Sequence, residues 1–435
     1  MHEDPADRPV RLIVTDDLVR SRATVIFRLI LVIPALVTLW FWTIGAFFIV
    51  IGAWFVMLLK GRCSAGMHEF IAAYTRYAAQ VSAYLHLTAN PFPGFAPKAD
   101  YPVRIEIDGP VTQRRWSVFF RIFLAIPALF LMAATGGTSG FSVPRTSGAY
   151  GSAFGGVGAG GVVSFLGWFA AVARGRMPRG LRDLGTYGIG YTAQTTAYLL
   201  LLTDRYPSSD PRLAGPQELL PHPIRIEVND DLSRERLLVL FRGLLALPHF
   251  VWLLLWTILA ILASVVGWLI APFIARLPRP LHRFLAAYVR YAAHVSAFVG
   301  LVGGPFPGFV GKEGTYPIEI VIDPPERQGR IGLVFRGFLL IPAILIGSAY
   351  NGIAVTVGVL GWFSALFRGR MPIGMRDIGA SAIRYQAQAW GYAFLLTDRY
   401  PYAAPTLEGL PPEPEQLAFD LTPEPPQDLA LGPAS

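Results

Sequence analysis

The stretch Arg174-Gly-Arg-Met-Pro178 closes a long apolar run, and the same five residues recur at positions 368–372. Arginine anchors a chain at lipid headgroups, glycine permits a sharp bend, and proline favours the first turn of a helix. The pentapeptide therefore predicts a turn at a membrane surface, made twice. Its recurrence indicates an internal repeat.

The repeat covers most of the chain. Residues 9–95 align without a gap with residues 223–309, and each of these halves divides again. A short strand, a Phe-Arg pair, an aliphatic-proline pair and a basic corner follow one another four times. The corner arginines are Arg62, Arg176, Arg276 and Arg370, and the prolines are Pro34, Pro127, Pro248 and Pro342. The predicted units are A (1–95), B (96–215), A′ (216–310) and B′ (311–402), followed by a tail (403–435).

The composition indicates an integral membrane protein. Hydrophobic residues make up 53% of the chain and charged residues only 15%, whereas soluble domains carry about 25% charged residues. The single cysteine, Cys63, excludes a disulfide framework and an all-cysteine metal site. The net charge of +8 comes from arginines at the ends of apolar runs. Anionic membrane lipids are therefore the expected partner, and nucleic acid is not.

Each unit is predicted to be mainly α-helical with one short strand. Alternating residues at 103–108 and 224–228 indicate half-buried β-strands. In units A, A′ and B′ the uncharged run after the Phe-Arg pair is too long for one span of about 20 residues and slightly short for two. We expect a transmembrane helical hairpin in each unit, about eight transmembrane helices in all. The first helix of each hairpin should kink at its proline. In unit B the turn would be expanded into a Gly-rich loop at 136–161, placed outside the cell.

An amphipathic helix is predicted after each corner. In unit A, Phe70, Tyr74, Tyr77 and Tyr84 follow helical spacing, with polar residues opposite. Such a helix suits the membrane interface, and a third transmembrane span is the alternative. The polar faces form a column that is either simply solvated or binds headgroups or an acidic partner segment. Its members are Arg76, Arg290 and Arg384, followed one turn later by Gln80, Gln194, His294 and Gln388.

Charge also predicts the topology. Arginines crowd the strands, corners and amphipathic helices, whereas the hairpin tips are nearly uncharged. The positive-inside rule then predicts a multi-pass protein of the plasma membrane with both termini in the cytoplasm. The acidic, Pro-rich tail at 403–435 should be disordered and could contact other membrane proteins.

The order of these motifs resembles an uncharacterised prokaryotic membrane family, domain of unknown function 4389. The resemblance rests on Phe-Arg, Ile-Pro, Trp-Phe, Gly-Arg-Met-Pro, Tyr-x-x-Gln and Leu-Leu-Thr-Asp-Arg-Tyr-Pro. It is closest at 168–207 and 362–401. Units A and A′ depart from it by ending in Pro-Phe-Pro-Gly-Phe. It implies a prokaryotic membrane protein and supplies no catalytic residue.

The motifs give no support for an enzyme, a metal or a cofactor. The seven histidines lack metal-ligand spacing, and the glycines at 155–161 lack the Lys-Ser or Lys-Thr of a phosphate loop. The leading hypothesis is a non-enzymatic membrane scaffold or accessory subunit that binds anionic lipid headgroups at its cytoplasmic face. The alternative is a pore or carrier for an uncharged or lipidic substrate. An enzyme acting on lipids is a remote third.

Overall fold

The computed structural model describes residues 7–136, 158–214 and 221–407. Its helices and strands follow in chain order as β1 (Val10–Val14), α1 (Arg22–Ile26), α2 (Arg28–Leu31), α3 (Ile33–Lys60), α4 (Ala65–Leu85), β2 (Val103–Ile107), α5 (Arg115–Phe119), α6 (Arg121–Gly136), α7 (Ala159–Arg174), α8 (Arg179–Leu199), β3 (Ile224–Val228), α9 (Arg236–Ile274), α10 (Arg279–Val299), β4 (Ile318–Ile322), α11 (Arg330–Arg368) and α12 (Ile373–Ala393). A short 3-10 helix, Pro211–Ala214, follows α8. We call α4, α8, α10 and α12 the inner helices, and α3, α6, α7, α9 and α11 the outer helices.

The apolar runs of units A, A′ and B′ each fold into one long helix. The outer helix α3 has 28 residues, and α9 and α11 have 39 residues each. The predicted transmembrane hairpins are therefore wrong in these units, since no turn divides the run. Among the described residues, three helical segments are long and apolar enough to cross a membrane: Arg28–Lys60, Arg236–Ile274 and Phe335–Arg368. These segments indicate a membrane protein.

Unit B contains the same long helix interrupted by an insertion. A side chain added at Gly160 would collide with the carbonyl of Gly136, so the end of α6 adjoins the start of α7. The inner helix α8 runs along both pieces, meeting α6 at Arg121 and α7 at Val163. The two pieces therefore occupy the place of one outer helix rather than the two arms of a hairpin. Of the predicted loop 136–161, both ends are helical, and residues 137–157 lie outside the described residues.

Units A and B contain breaks in helical geometry, one of which, at Val32, lies two residues before the predicted kink proline Pro34. Helical geometry is interrupted at Phe27 and Phe120, directly before the arginine of each Phe-Arg pair. Pro34 stands in the first turn of α3, where it removes no helical hydrogen bond. The remaining kink prolines lie inside outer helices: Pro127 in α6, Pro248 in α9 and Pro342 in α11.

Each inner helix lies antiparallel to the outer helix of its own unit. The hydroxyl of Tyr77 in α4 donates to the carbonyl of Ala35 in α3 at 3.2 Å, and Tyr385 in α12 donates to Ala343 in α11 at 3.2 Å. The apolar face predicted for the amphipathic helix thus packs against protein rather than against lipid. Each of these tyrosine hydroxyls binds the carbonyl of the residue that follows a kink proline.

The inner helices also pair with each other, α4 with α8 and α10 with α12. His68 near the start of α4 lies at Leu202 beyond the end of α8, and Gly185 near the start of α8 meets Thr88 beyond the end of α4. The pair is therefore antiparallel. Alanines permit the close approach, since Ala79 and Ala193 belong to one buried cluster. Units A and B consequently run in opposite directions, and so do A′ and B′.

Two antiparallel strand pairs cover the inner helices, β1 with β2 and β3 with β4. The predicted short strands are confirmed. Leu12 of β1 lies against Gly190 in the middle of α8, and Arg290 in the middle of α10 donates to the carbonyl of Ile320 in β4 at 3.1 Å. The molecule thus has three layers: outer helices, inner helices and strands.

The two halves meet through units B and B′. Tyr187 of α8 and Tyr350 of α11 share one buried cluster. The beginning of the predicted disordered tail belongs to this contact. Ala403 and Ala404 are buried, and the Ala403 carbonyl accepts a hydrogen bond from Tyr350 at 2.7 Å. Disorder was therefore the wrong prediction for residues 403–407, and residues 408–435 lie outside the described part.

Candidate functional site

The four basic corners are built by backbone pairing between partner units. Outer helices end at a residue in the left-handed region, which is Gly61, Gly175 and Gly369 in three units and Ala275 in unit A′. The carbonyl of Gly61 accepts a hydrogen bond from Gln113 of unit B at 3.0 Å. The carbonyl of Gly175 accepts one in return from Arg20 of unit A at 2.8 Å. Each corner therefore joins the end of one outer helix to the start of another.

This pairing gathers cations from two units. The corner arginines Arg62, Arg176, Arg276 and Arg370 are all exposed, and so is the first residue of each helical run, Arg22, Arg115, Arg236 and Arg330. Arg22 donates to the carbonyl of Ala173 at 3.2 Å, and Arg236 donates to that of Phe367 at 3.2 Å. These arginines bind the C-terminal carbonyls of the neighbouring outer helix, where the helix dipole favours positive charge.

The corner arginines themselves have no such partner. Across the described ranges, the guanidinium groups of Arg62, Arg176, Arg276 and Arg370 form no hydrogen bond and no ion pair with the protein. A guanidinium offers five donors in a planar fork that matches a phosphate or carboxylate. Each corner can therefore receive an anion from outside the chain.

The polar column of the inner helices is mostly buried, whereas either a solvated face or a headgroup-binding face was predicted. Gln80, Gln194, His294, Gln388, Arg290 and Arg384 are buried beneath the strands and loops. Arg76 stays partly exposed and pairs with Glu69 at 2.8 Å. The solvated face was thus the wrong prediction for the six buried residues, because the strand layer covers it.

Members of the column anchor the outermost layer to the inner helices. Gln80 both donates to and accepts from the backbone of Lys98, at 2.6 and 3.0 Å. Gln388 donates to the carbonyl of Ile224 at 3.0 Å and accepts from the Tyr402 amide at 3.0 Å. His294 lies 3.3 Å from Glu319. Side chains held in this way are positioned to support the strand layer rather than to bind headgroups.

The arginines of the Phe-Arg pairs are buried in every unit, which sequence reasoning missed. Arg336 is 1% exposed. It donates to the carbonyls of Tyr392 and Thr397 at 2.8 and 3.1 Å and stacks over the Tyr392 ring. Equivalent stacking joins Arg28 to Tyr84, Arg121 to Tyr198 and Arg242 to Phe298. Each arginine thus closes the C-terminal end of the inner helix in its own unit. The sequence does contain a signal for this burial, because an arginine recurs at the same position near the start of each apolar run.

Units A and A′ hold a second buried arginine. Arg20 pairs with Asp16 and Arg234 with Asp230, each at 2.7 Å, and these side chains are 0–2% exposed. Arg234 also donates to the carbonyl of Leu301, a residue with a positive φ of 60°. Units B and B′ place glutamine at the same repeat position, and the Gln328 amide donates to the carbonyl of Leu395. The same left-handed turn is therefore held by a buried arginine in units A and A′ and by a glutamine in units B and B′.

The second half of the molecule contains a cavity. It has a volume of about 240 Å³ and lies between α10, α11 and α12, bordered by Ser296, Gly300, Asn351, Gln386 and Trp390. In the first half, the repeat position of Gly300 holds His86, which is hydrogen-bonded to Ser164 at 2.6 Å. The imidazole thus occupies space that glycine leaves open. The cavity combines apolar walls with two amide side chains.

Two buried histidines make stability depend on pH. Burial lowers the pKa of His86 to about 4, and burial aided by Arg384 lowers the pKa of His222 to about 3. A folded-state pKa below the ordinary value of about 6.5 means that the unfolded chain binds protons first. Their contribution to stability is therefore present above pH 6.5 and is lost as the pH falls towards 4.

We expect the free energy of unfolding to fall below pH 6.5 by up to about 1.4 kcal/mol per pH unit for each buried histidine. Replacing His222 by Asn removes one of these protonation sites and retains an acceptor for the Ile224 amide. The variant should show a shallower pH dependence in thermal unfolding recorded in non-ionic detergent between pH 4 and 7.5. An unchanged slope would contradict the assignment to His222.

The described residues contain no group of three or more histidine, cysteine, aspartate or glutamate side chains placed to hold a metal ion. The buried carboxylate of Asp183 is bound by Arg182 at 2.7 Å. Burial raises the pKa of Asp183, and Arg182 opposes that rise. The arrangement is that of a buried ion pair in α8.

Fold and corners together define a four-repeat helical membrane protein with cationic ends. The family model of a domain of unknown function (DUF4389) matches residues 22–96, 157–209, 236–307 and 330–404, one segment in each unit. The chain belongs to this family and contains four tandem copies of its domain. No curated protein and no solved structure matches it.

Proposed function

We propose that the protein is a non-enzymatic scaffold or accessory subunit of the plasma membrane that binds anionic lipid headgroups at its cytoplasmic face. The supporting observation is the set of four repeat-equivalent corner arginines, exposed and without partners in the described chain. They lie at the ends of outer helices whose apolar side chains are exposed, such as Leu59 at 75% and Phe273 at 81%. A lipid can satisfy both features, since its phosphate meets the guanidinium while its chains meet the apolar face.

In this proposal both termini and the strand layer face the cytoplasm. Arg62, Arg176, Arg276 and Arg370 are the headgroup ligands, and Arg76 is the member of the polar column exposed enough to assist. The acidic tail beyond residue 407 is a candidate contact for other membrane proteins.

The proposal is tested by removing two equivalent corner charges. We expect the Arg176→Gln/Arg370→Gln variant to lose about tenfold to thirtyfold in affinity for nanodiscs that contain anionic lipid, because each surface cation contributes about 1 kcal/mol. The lysine pair at these positions should lose less, since it keeps the charge but not the planar donors. Insertion should be unaffected because the outer helices are unchanged.

The matched control is Arg104→Gln/Lys312→Gln, which removes the same charge from β2 and from the loop before β4. It should bind nearly as well as the unaltered protein. Equal lipid retention by the corner variant and the control in native mass spectrometry would show that the corners act only as structural turns.

The cavity between α10, α11 and α12 favours a second candidate, a carrier for a lipidic or uncharged substrate. Its amide side chains Asn351 and Gln386 could bind the polar end of an amphiphile while its alanines contact the apolar part. Saturable movement of lipid or solute in proteoliposomes is the outcome that would favour this candidate.

A further inference from the structure

The exposed apolar face of the outer helices is longer than a membrane is thick. In α9 this face runs from Leu237 to Phe273 without an exposed charge, and its one arginine, Arg242, points inward and is buried. A helix of 39 residues is about 58 Å long. The hydrocarbon core is about 30 Å thick, so crossing it would require a tilt of roughly 60° from the normal, outside the usual range of about 0–40°.

The two ends of the outer helices are chemically alike. Unit A runs opposite to unit B, so one end of the first half carries Arg22 with Arg176, and the other carries Arg62 with Arg115. A helix that crosses a membrane normally has its basic residues on the cytoplasmic side. Here exposed arginines lie at both ends of the described helices, so this rule does not select either end as cytoplasmic.

The chemical asymmetry of the molecule is perpendicular to the helices instead. One side presents the apolar outer faces, and the other presents the strand layer with Arg11, Glu106 and Asp108, whose side chains are 30%, 46% and 47% exposed. The strand pairs lie over the middle of the inner helices, as Leu12 against Gly190 shows. In a crossing orientation these charges would lie at the depth of the bilayer centre.

Backbone hydrogen bonding also argues against an orientation in which the helices cross the membrane. A two-stranded sheet leaves both of its edges unpaired, and open sheet edges do not occur in lipid. The insertion of unit B begins at Gly136 and ends at Gly158, halfway along an outer helix. A chain that left the helix there would leave it at the bilayer midplane if the helix crossed the membrane. With the helices parallel to the membrane, the strands and all helix ends lie at or outside the headgroups.

We propose that the outer helices lie flat in a single leaflet, with their apolar faces towards the acyl chains and the strand layer in the cytoplasm. The partner of this surface is one leaflet of a lipid bilayer, which replaces the expected multi-pass arrangement. The four cationic corners then form the rim of the embedded face, level with the headgroups. The inference concerns orientation and holds whether or not the corners prefer anionic lipid.

The test uses two cysteines at opposite ends of the first half, in a Cys63→Ser background. Ser21→Cys lies at the start of α1, and Thr112→Cys lies beside Arg62 at the far end of α3. Glu106→Cys in the strand layer reports the cytoplasmic side. We expect an impermeant maleimide to label all three in inverted vesicles and none in intact spheroplasts. Labelling of Ser21→Cys and Thr112→Cys from opposite sides would overturn the proposal.

A second measurement covers variants that label poorly. A fluorophore at Leu244, Leu254 or Leu269 of α9 should be quenched to the same extent by lipids that carry a quencher at one fixed acyl depth. A crossing helix would give the deepest position at Leu254 and shallow positions at the other two, which would overturn the proposal. Same-side labelling combined with no preference for anionic lipid would leave this inference standing and overturn headgroup binding alone.

Discussion

Replacing Arg234 by Gln should lower the free energy of unfolding by about 3–5 kcal/mol, because it leaves a buried carboxylate without its cation. The Asp230 side chain is 2% exposed and lies 2.7 Å from Arg234. The substitution also removes hydrogen bonds to the carbonyls of Leu301 and Val302. The measurement is unfolding in mixed micelles of increasing SDS content, followed by tryptophan fluorescence.

The internal repeat supplies the rescue for this variant. In unit B′, Gln328 stands where Arg234 stands in unit A′, and no carboxylate accompanies it. The double variant Asp230→Asn/Arg234→Gln should therefore recover at least half of the loss. If the double variant is as unstable as the single one, the buried charge is not the cause.

A more exposed ion pair provides the control. Arg225 and Asp323 join the two strands β3 and β4, and their side chains are 16% and 19% exposed. Replacing Arg225 by Gln should cost about 1 kcal/mol or less, because solvent screens the remaining carboxylate. A loss equal to that of Arg234→Gln would show that burial does not decide the cost.

Local patterns predicted the elements of each unit well. Period-two alternation identified β2 and β3, and 3.6-residue periodicity identified the inner helices with the correct apolar face. Both signals depend only on neighbours along the chain. The four-unit organisation also follows from the sequence, since the family model matches one segment in each unit.

The hairpin prediction failed because length and lack of charge cannot distinguish one long helix from two short ones. The run of α9 contains prolines at Pro248 and Pro272, and the helix continues through both. The Gly-rich segment of unit B suggested a turn at the middle of the run. It is an insertion into one helix, whose two ends meet at Gly136 and Gly160.

The polar faces were misread because their cover comes from distant parts of the chain. Gln388 of α12 donates to the carbonyl of Ile224, a residue 164 positions earlier. Amphipathic spacing shows that a helix has two faces but not what lies on each of them. The burial of Arg384 therefore could not be inferred from α12 alone.

Replacing Arg336 by Met should cost about 3–5 kcal/mol, because it leaves the carbonyls of Tyr392 and Thr397 and the side chain of Gln328 without their buried donor. Replacement by Lys should cost about 2–4 kcal/mol. The ammonium keeps the charge but loses the planar fork and the stacking over Tyr392.

The lysine variant separates two roles for the Phe-Arg arginine. A side chain that merely extended to the headgroups would tolerate Lys without loss, because lysine extends equally well. A side chain that binds helix-end carbonyls would not tolerate lysine.

Arg242 of unit A′ is the internal comparison. It donates to one carbonyl, that of Gly304 at 2.7 Å, and two of its three nitrogens have no hydrogen-bond partner. Arg242→Lys should therefore be milder than Arg336→Lys in the same SDS titration. Equal losses at both positions, or no loss at Arg336, would contradict the role of this arginine in closing the inner helix.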